Sequence, residues 1–268
     1  MQKRHTDREK YFQEQSLVAK DVLLPYIASA FPLLPTTTVA EVGCGEAGNL
    51  HPFLTMGCKV TGIDCSAVRI ERAAQYYATH PLRKNLTLVV RDIFETDSRE
   101  TGTFDLVILR DSLEHIPNKE KLIPHVKKFL SPGGHIFISF PPWQMPFGGH
   151  QQLCRNKFIS RLPYIHLLPR PLFFGLLKCF GEKHYLIEEL LQIRRTCISI
   201  ERFKSLAFKN NFRLEREDLY LINPAYEIKF GIRAKKLPEL LNIRWFRNFY
   251  STAFYCLLVS DPNFQTKG

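Results

Sequence analysis

The amino-acid sequence predicts an α/β fold, and three observations support this. Near-continuous apolar segments alternate with helical ones, which is typical of a parallel sheet that helices cover on both faces. The first apolar segment runs into Gly43, Gly45 and Gly48, whose G-x-G-x-x-G spacing suits a tight strand-to-helix turn. After the fifth apolar segment the alternation stops, and residues 141–198 are aromatic, basic and proline-bearing. We therefore expect a Rossmann-like, seven-stranded, mostly parallel sheet with helices on both faces and a helical insertion after strand five.

The predicted elements follow the chain in order. Residues 8–31 carry apolar side chains at helical spacing and predict one or two helices. The predicted strands are Val39–Val42, Cys58–Asp64, Leu86–Ile93, Phe104–Arg110, His135–Phe140, 213–222 and 252–260. The predicted helices between them are Ala47–Met56, 66–80, Asn118–Leu130 and 199–212. Ser66 suits an N-cap, and the "SPGG" after Leu130 is a typical helix stop.

Length and composition favour a single domain. The chain has 268 residues, of which 45% are hydrophobic and 24% are charged, as in a globular protein. We divide it into a helical N-terminal cover (1–31), a cofactor-binding core (32–140), a substrate-covering insertion (141–198) and a C-terminal helix with strands (199–268). No apolar run approaches the ~18–20 residues that span a bilayer, and the N-terminus lacks the apolar core of a secretory signal. Seven cysteines without a CxxC pair indicate free thiols, so we expect a cytoplasmic protein.

The net charge of +11 is unevenly distributed. Residues 1–149 hold 17 Lys and Arg against 16 Asp and Glu, whereas residues 150–268 hold 20 against 10. An anionic small molecule, an anionic membrane surface or a nucleic acid would each complement the basic half. A solvated basic face with no partner is the alternative.

The glycine turn suits either a nicotinamide dinucleotide or S-adenosylmethionine (SAM). Asp64, at the end of the second strand, can accept hydrogen bonds from ribose hydroxyls of either cofactor. Glu41 favours SAM, because dinucleotide loops usually place an apolar residue inside this strand, where a carboxylate is costly to bury. Asp92 ends the third strand and suits an adenine amine, with Ile93 as an apolar surface beside the ring. The C-terminal elements also fail to form a second mononucleotide-binding half.

Five ordered motifs within Val39 to Phe140 resemble the class I SAM-dependent methyltransferases. They are "VAEVGCGEAGNL", "VTGIDCS", "VVRDIFE", "FDLVILRDSLEHIPN" and "LSPGGHIFISF". The resemblance implies that the three glycines line the methionine part of SAM, that Asp64 binds the ribose, and that Asp92 with Ile93 contacts adenine. It also matches Glu41 to the acid that anchors the loop and often the SAM amino group. The cofactor-binding residues we predict are Glu41, Gly43, Cys44, Gly45, Gly48, Asp64, Cys65, Asp92, Ile93 and Arg110.

The segment "RDSLEH" carries the predicted catalytic group. Asp111, Glu114 and His115 stand at i, i+3 and i+4, and would share one face if a helix begins there. His115 is our candidate general base for a hydroxyl nucleophile. Alternatively, the three side chains and His150 hold a divalent cation. The segment resembles the ubiquinone-biosynthesis O-methyltransferases, and also the small-RNA 2′-O-methyltransferases, in which such a run with a distant histidine binds a metal.

Residues that cover the core would select the substrate. Trp143, Met145 and Phe147 can wall an aromatic or lipid-like substrate or pack a core of their own, and Tyr11 and Phe12 would close the other side. Residues 169–185 would form either a packed helix or a peripheral membrane contact. We predict a SAM-dependent methyltransferase acting on oxygen of a small-molecule acceptor. The alternatives are a nucleic-acid methyltransferase, a nicotinamide-binding oxidoreductase and a non-catalytic protein of the same fold.

Overall fold

A computed structural model describes residues 7–261 and contains one eight-stranded sheet within that range. The strands are β1 Thr38–Val42, β2 Lys59–Asp64, β3 Leu86–Val90, β4 Phe104–Arg110, β5 Leu130–Phe140, β6 Phe212–Ile222, β7 Lys235–Lys236 and β8 Ala253–Ser260. Their order across the sheet is β3-β2-β1-β4-β5-β8-β6-β7. The five strands from β3 to β5 are parallel, and β8, β6 and β7 add to the edge in antiparallel fashion. The predicted α/β class is confirmed.

The strand count is the main difference from the prediction. Strand β7 has only two residues, both lysines, and it pairs with β6. A two-residue strand carries no periodicity that a sequence pattern can reveal. Strand β5 also begins at Leu130 rather than at His135, because the backbone of the "SPGG" segment continues the strand.

Helices cover both faces of the sheet. Their bounds are α1 Arg8–Val18, α2 Leu24–Ala28, α3 His51–Thr55, α4 Ala67–Tyr76, α5 Ser98–Thr101, α6 Lys119–Lys127, α7 Arg170–Cys179, α8 His184–Arg195, α9 Ile200–Lys209, α10 Ala225–Phe230 and α11 Arg247–Tyr250. A π-helical turn, Ala19–Leu23, joins α1 to α2. The helix predicted over Ala47–Met56 is a 3₁₀ turn followed by α3, since the backbone of Ala47 is left-handed, with φ of +60°.

The core consists of two apolar layers, one on each face of the sheet. In β4, Val107 and Leu109 face one layer, whereas Leu106 and Ile108 face the other, and all four are fully buried. This burial on both faces explains why the strand reads as a continuous apolar run. Within residues 7–261, none of the helices combines the length and the hydrophobicity that crossing a membrane requires. The seven cysteines are all free, as predicted.

The insertion after β5 packs around its own apolar cluster. Helices α7 and α8 contribute Phe173, Leu177 and Leu190, which are fully buried there. Trp143 packs against the same cluster, as the self-packing alternative predicts for the insertion's aromatic residues. Because one face of α7 is buried in this way, residues 170–179 form a packed helix.

Candidate active site

A cleft of about 780 Å³ opens at the carboxyl ends of the parallel strands. Its walls come from the glycine turn after β1, the ends of β2, β3 and β4, the helix α1, the insertion and the connection between β6 and β8. This is the edge at which ligands bind in open α/β folds. The volume lies within the ~300–1,000 Å³ of small-molecule sites.

Two glycines give the turn after β1 its shape. Gly43 and Gly45 have φ of +72° and +56°, a region that side chains rarely adopt. The Gly43 N–H donates to Ile63 O at 2.8 Å, which ties the turn to β2. A Cβ at Gly43 would lie 2.9 Å from the Cβ of Ser112, so the turn fits closely against the chain after β4. Both glycines line the cleft, as does the buried Cys44.

Gly48, the third glycine, lies against α1 rather than in the cleft, where it was predicted to line the methionine part of SAM. Gly48 does not line the cleft; a Cβ there would lie 2.8 Å from both Phe12 O and Gln15 Cβ in α1. Its missing side chain therefore lets the N-terminal helix approach the turn. Arg8 strengthens this contact, because its Nε donates to Glu46 Oε1 at 2.8 Å.

Asp64 fixes the glycine turn to the start of α4. One carboxylate oxygen accepts from the Gly45 N–H at 2.9 Å, and the other accepts from the Ser66 N–H at 2.9 Å. The side chain is 5% exposed and lines the cleft beside Cys65. Each carboxylate oxygen retains a second lone pair for a ligand hydroxyl.

Asp92 and Ile93 lie in the cleft wall at the end of β3. The Asp92 carboxylate accepts from the Phe94 N–H at 2.9 Å and caps a 3₁₀ turn, Ile93–Glu95. Ile93 and Phe94 provide an apolar surface next to it. The wall thus combines an exposed carboxylate with a surface on which a planar ring can lie.

Beneath the cleft, Glu41, Asn49 and Arg110 form a buried chain of hydrogen bonds. Asn49 Nδ2 donates to Glu41 Oε1 at 2.5 Å, and Arg110 Nη1 donates to Asn49 Oδ1. Glu41 is 1% exposed and does not reach the cleft, whereas Asn49 and Arg110 line it. Burial raises the pKa of Glu41 to about 8, against the opposing effects of Asn49 and Arg110. Arg110 Nε is buried and has no hydrogen-bond partner, and it forms a long ion pair of 3.8 Å with Asp111 Oδ2.

No helix begins at "RDSLEH", so the condition under which Asp111, Glu114 and His115 would share one helical face is not met. Residues 112–116 form a turn, and α6 begins only at Lys119. Asp111 has a left-handed backbone with φ of +49°, and Asn118 has one with φ of +52°. Pro117 also disfavours a helical conformation at the residue before it.

The turn nevertheless brings Glu114, His115 and His150 together in the cleft wall. Their candidate ligand atoms all lie within 4.8 Å of one another, and Asp111 is not in this group. The His115 and His150 ring centroids are 5.0 Å apart. Burial raises the pKa of Glu114 well above its usual value and lowers the pKa of His115, whose imidazole is therefore neutral near pH 7. The buried Glu114 Oε2 has no hydrogen-bond partner, so the donor set fits either a base or a cation.

Several cleft residues were missed by the sequence analysis. Asn223, Tyr226 and Thr252 belong to the connection between β6 and β8, which has no periodic pattern. Asn49 is a polar residue just after the glycine turn, and its position between two charged strand residues becomes visible only in three dimensions. Of the predicted substrate wall, Met145, Phe147 and Tyr11 line the cleft, whereas Trp143 and Phe12 do not.

The comparisons with known proteins agree with this geometry. Residues 40–136 match a family model described as a methyltransferase domain. Over 101 residues the chain is 30% identical to the ubiquinone biosynthesis O-methyltransferase of Albidiferax ferrireducens, which covers 38% of this chain and 40% of that protein. It is 34% identical over 101 residues to the chloroplastic tocopherol O-methyltransferase of Arabidopsis thaliana, and this alignment covers 37% of this chain and 29% of that protein. The chain thus spans less than half the length of these curated relatives.

Solved structures share the fold across most of the chain. Magnesium protoporphyrin IX methyltransferase from Synechocystis PCC 6803, with S-adenosylhomocysteine (SAH) bound, superposes with a TM-score of 0.55 at 14% identity. The alignment covers 92% of this chain and 84% of that one. Geranyl diphosphate C-methyltransferase from Streptomyces coelicolor A3(2) gives a TM-score of 0.52 at 13% identity, over 89% and 79% of the two chains. At such identities, the likeness establishes the fold alone.

Substitution of Gly48 tests the contact between α1 and the glycine turn. Gly48→Ala should lower the free energy of unfolding by roughly 1–3 kcal/mol, because the added methyl group meets the backbone of α1. Thermal denaturation measures the effect. Gly175→Ala is the matched control, since nothing lies within 4 Å of a Cβ there and α7 should gain or keep its stability. An unchanged melting temperature for Gly48→Ala would contradict the close contact.

The raised pKa of Glu41 predicts a pH-dependent stability. Because the folded pKa of about 8 exceeds the ordinary 4.5, the folded state holds the proton more tightly, and stability falls as pH rises from about 4.5 to about 8. Glu41→Gln should remove this loss, so its stability relative to wild type should increase with pH. The total change should be a few kcal/mol at most, at about 1.4 kcal/mol per pKa unit. Denaturant titrations at several pH values measure it, with the exposed Glu71→Gln as control; a pH-independent difference would refute the prediction.

Proposed function

We propose that this chain is a class I SAM-dependent methyltransferase and transfers the methyl group of SAM to an oxygen atom of a small-molecule acceptor. The observation that carries the proposal is the composition of one cleft. The glycine turn, Asp64 and Asp92 line it together with His115, Met145 and Phe147. Cofactor-binding and acceptor-binding groups therefore face the same space.

The cleft residues suit the parts of SAM. Asp64 would accept hydrogen bonds from the ribose hydroxyls, and Asp92 with Ile93 would bind adenine. Arg110, whose buried Nε has no hydrogen-bond partner and lies 3.8 Å from Asp111 Oδ2, fits the carboxylate of the methionine part. Gly43, Cys44 and Gly45 would lie along the same part, with Cys65 near the adenosine. Glu41 would act through Asn49 rather than by contact, and Gly48 through α1.

SAM supplies an electrophilic methyl group on a sulfonium, so the protein mainly has to orient an acceptor and exclude water. A hydroxyl acceptor also needs to lose its proton. His115 can take it, because burial lowers its pKa and keeps the imidazole neutral. The apolar side chains of Met145 and Phe147 would hold an acceptor that is aromatic or lipid-like.

The charge of the cleft does not favour a nucleic-acid acceptor. Five of its lining residues are basic and six are acidic. The basic residues are Arg8, Arg69, Arg91, Arg110 and Lys229, and the acidic ones are Glu46, Asp64, Asp92, Asp111, Glu114 and Glu189. A phosphate backbone requires a clear basic excess along its path. We therefore propose a small acceptor, in line with the two curated relatives named above.

Substitution of Asp64 tests the cofactor site. Asp64→Ala should weaken SAH binding by ~1–3 kcal/mol, because the ribose loses a buried polar partner. Isothermal titration calorimetry measures the affinity. Asp97→Ala is the control: Asp97 caps α5, outside the cleft, and its loss should leave the affinity unchanged. Wild-type affinity in a folded Asp64→Ala protein would count against the site.

Paired histidine variants separate a base from a metal ligand. If His115 is the base, His115→Gln should lower kcat by about 10²–10⁴ and leave SAH affinity intact, whereas His150→Gln should have a much smaller effect. SAH release is measured with acceptors found in a panel of phenols and lipid-like alcohols. Equal losses in both variants, together with inactivation of wild type by a chelator and rescue by a divalent cation, would instead assign a metal to this cluster.

A further inference from the structure

The connection between β6 and β8 carries an exposed apolar surface with basic residues in it. Every residue from 238 to 246 is exposed. Leu240, Ile243, Trp245 and Phe246 are 86%, 55%, 56% and 64% exposed, respectively. We call these four side chains, with Arg233, Lys235 and Arg244, the apolar–basic surface. Large apolar side chains that are this exposed and this close in the chain differ from the scattered single ones of ordinary protein surface.

This surface is held in a defined conformation. Glu201, in α9, accepts from the Trp245 N–H at 3.1 Å and from Arg247 Nε at 2.9 Å. It also accepts from Asn248 Nδ2 at 2.5 Å, and Asn248 is 1% exposed. Trp245 itself has a left-handed backbone, with φ of +70°. The polar groups of the segment are thus tied to the domain while its apolar side chains remain in solvent, at the cost of local strain.

The charge of the surface has one sign. Residues 231–249 contain five Lys and Arg and a single acid, Glu239. Lys236 pairs with Asp218 and Arg247 pairs with Glu201, but among residues 7–261 no ion pair involves Arg233, Lys235 or Arg244. The Arg244 guanidinium lies 5.4 Å from the centre of the Trp245 ring. Aromatic and basic side chains in such proximity suit the headgroup region of a bilayer, where ring and cation each find a partner.

The surface also continues directly from the cleft wall. Helix α10 contributes Tyr226 to the cleft, and the chain runs from α10 into the exposed segment. The insertion joins it as well, because the Tyr164 hydroxyl donates to Phe249 O at 3.0 Å. A partner bound here would therefore lie next to the cleft.

We propose that the apolar–basic surface docks this protein on an anionic lipid bilayer. The aliphatic and aromatic side chains enter the boundary between headgroups and acyl chains, and Arg233, Lys235 and Arg244 contact anionic headgroups. A second copy of the chain complements the surface poorly, since a symmetric contact would place like charges against one another. A nucleic acid would leave Leu240 and Ile243 in water. The inference concerns binding alone and does not depend on methyl transfer.

Vesicle co-sedimentation tests the proposal with the full chain. One set of vesicles is phosphatidylcholine, and the other contains phosphatidylcholine and phosphatidylglycerol in equal parts. The protein should bind the anionic vesicles at least tenfold more tightly, and the difference should shrink at high salt. Trp143 and Trp245 are the two tryptophans, so a Trp143→Phe variant should show a blue shift of Trp245 fluorescence on anionic vesicles. Absence of binding to the anionic vesicles would overturn the proposal.

Matched variants locate the binding surface. The triple variant Leu240→Ser/Ile243→Ser/Phe246→Ser should reduce binding to anionic vesicles about tenfold or more. The double variant Lys235→Glu/Arg244→Glu should also reduce it, by roughly fivefold for each basic residue that is lost. The controls are Phe158→Ser/Leu172→Ser, which removes exposed apolar groups of the insertion, and Lys84→Glu/Lys209→Glu, which makes the same change in net charge. All substituted positions are exposed, and unchanged melting temperatures verify folding. Equal losses in test and control variants would overturn the proposal, as would a dimer in sedimentation velocity that Phe246→Ser dissociates.

Discussion

The buried hydrogen bonds among Glu41, Asn49 and Arg110 are the interaction on which the site depends. A polar group is costly to bury without a partner, and here each partner comes from a different element. Glu41 stands in β1, Asn49 in the 3₁₀ turn after the glycines, and Arg110 at the end of β4. The bonds therefore form only when β1 and β4 are neighbours and the glycine turn folds back over them. The pairing of β1 with β4 and the structure of the cleft floor are therefore connected by the same hydrogen bonds.

The sequence predicted the order of the elements because the apolar runs are long and the glycines are distinctive. Of the ten residues predicted to bind the cofactor, eight line the cleft, since strand ends of a parallel sheet meet at one edge. Gly48 was predicted to line the methionine part of SAM, but it lies against α1 and not in the cleft. The glycine spacing indicates that a side chain must be absent, but it does not show which neighbour occupies the space. No helix begins at Asp111 for a local reason: Asp111 and Asn118 have left-handed backbones, and Pro117 disfavours a helical residue before it. The contribution of residues 223–252 needed the structure, as no periodicity marks it.

The cleft and the apolar–basic surface differ in charge and in apolarity. The cleft balances its acids and bases, and it buries Glu114 in its wall and Glu41 beneath its floor, where desolvation raises the pKa of both carboxyl groups. The basic excess lies in residues 150–268, and part of it surrounds the exposed apolar groups between β6 and β8. The β6–β8 connection belongs to both regions, because α10 lines the cleft and the residues after it form the apolar–basic surface. This arrangement would let a hydrophobic acceptor reach the cleft from a surface on which it is concentrated.

In our proposal, the crevice at the carboxyl ends of the strands binds the adenosyl group of SAM rather than a dinucleotide. Calorimetric titration of one protein preparation with SAH and, separately, with NADH tests it most directly. We expect saturable one-to-one binding of SAH and no measurable heat of binding for NADH. Saturable binding of NADH with none of SAH would contradict it.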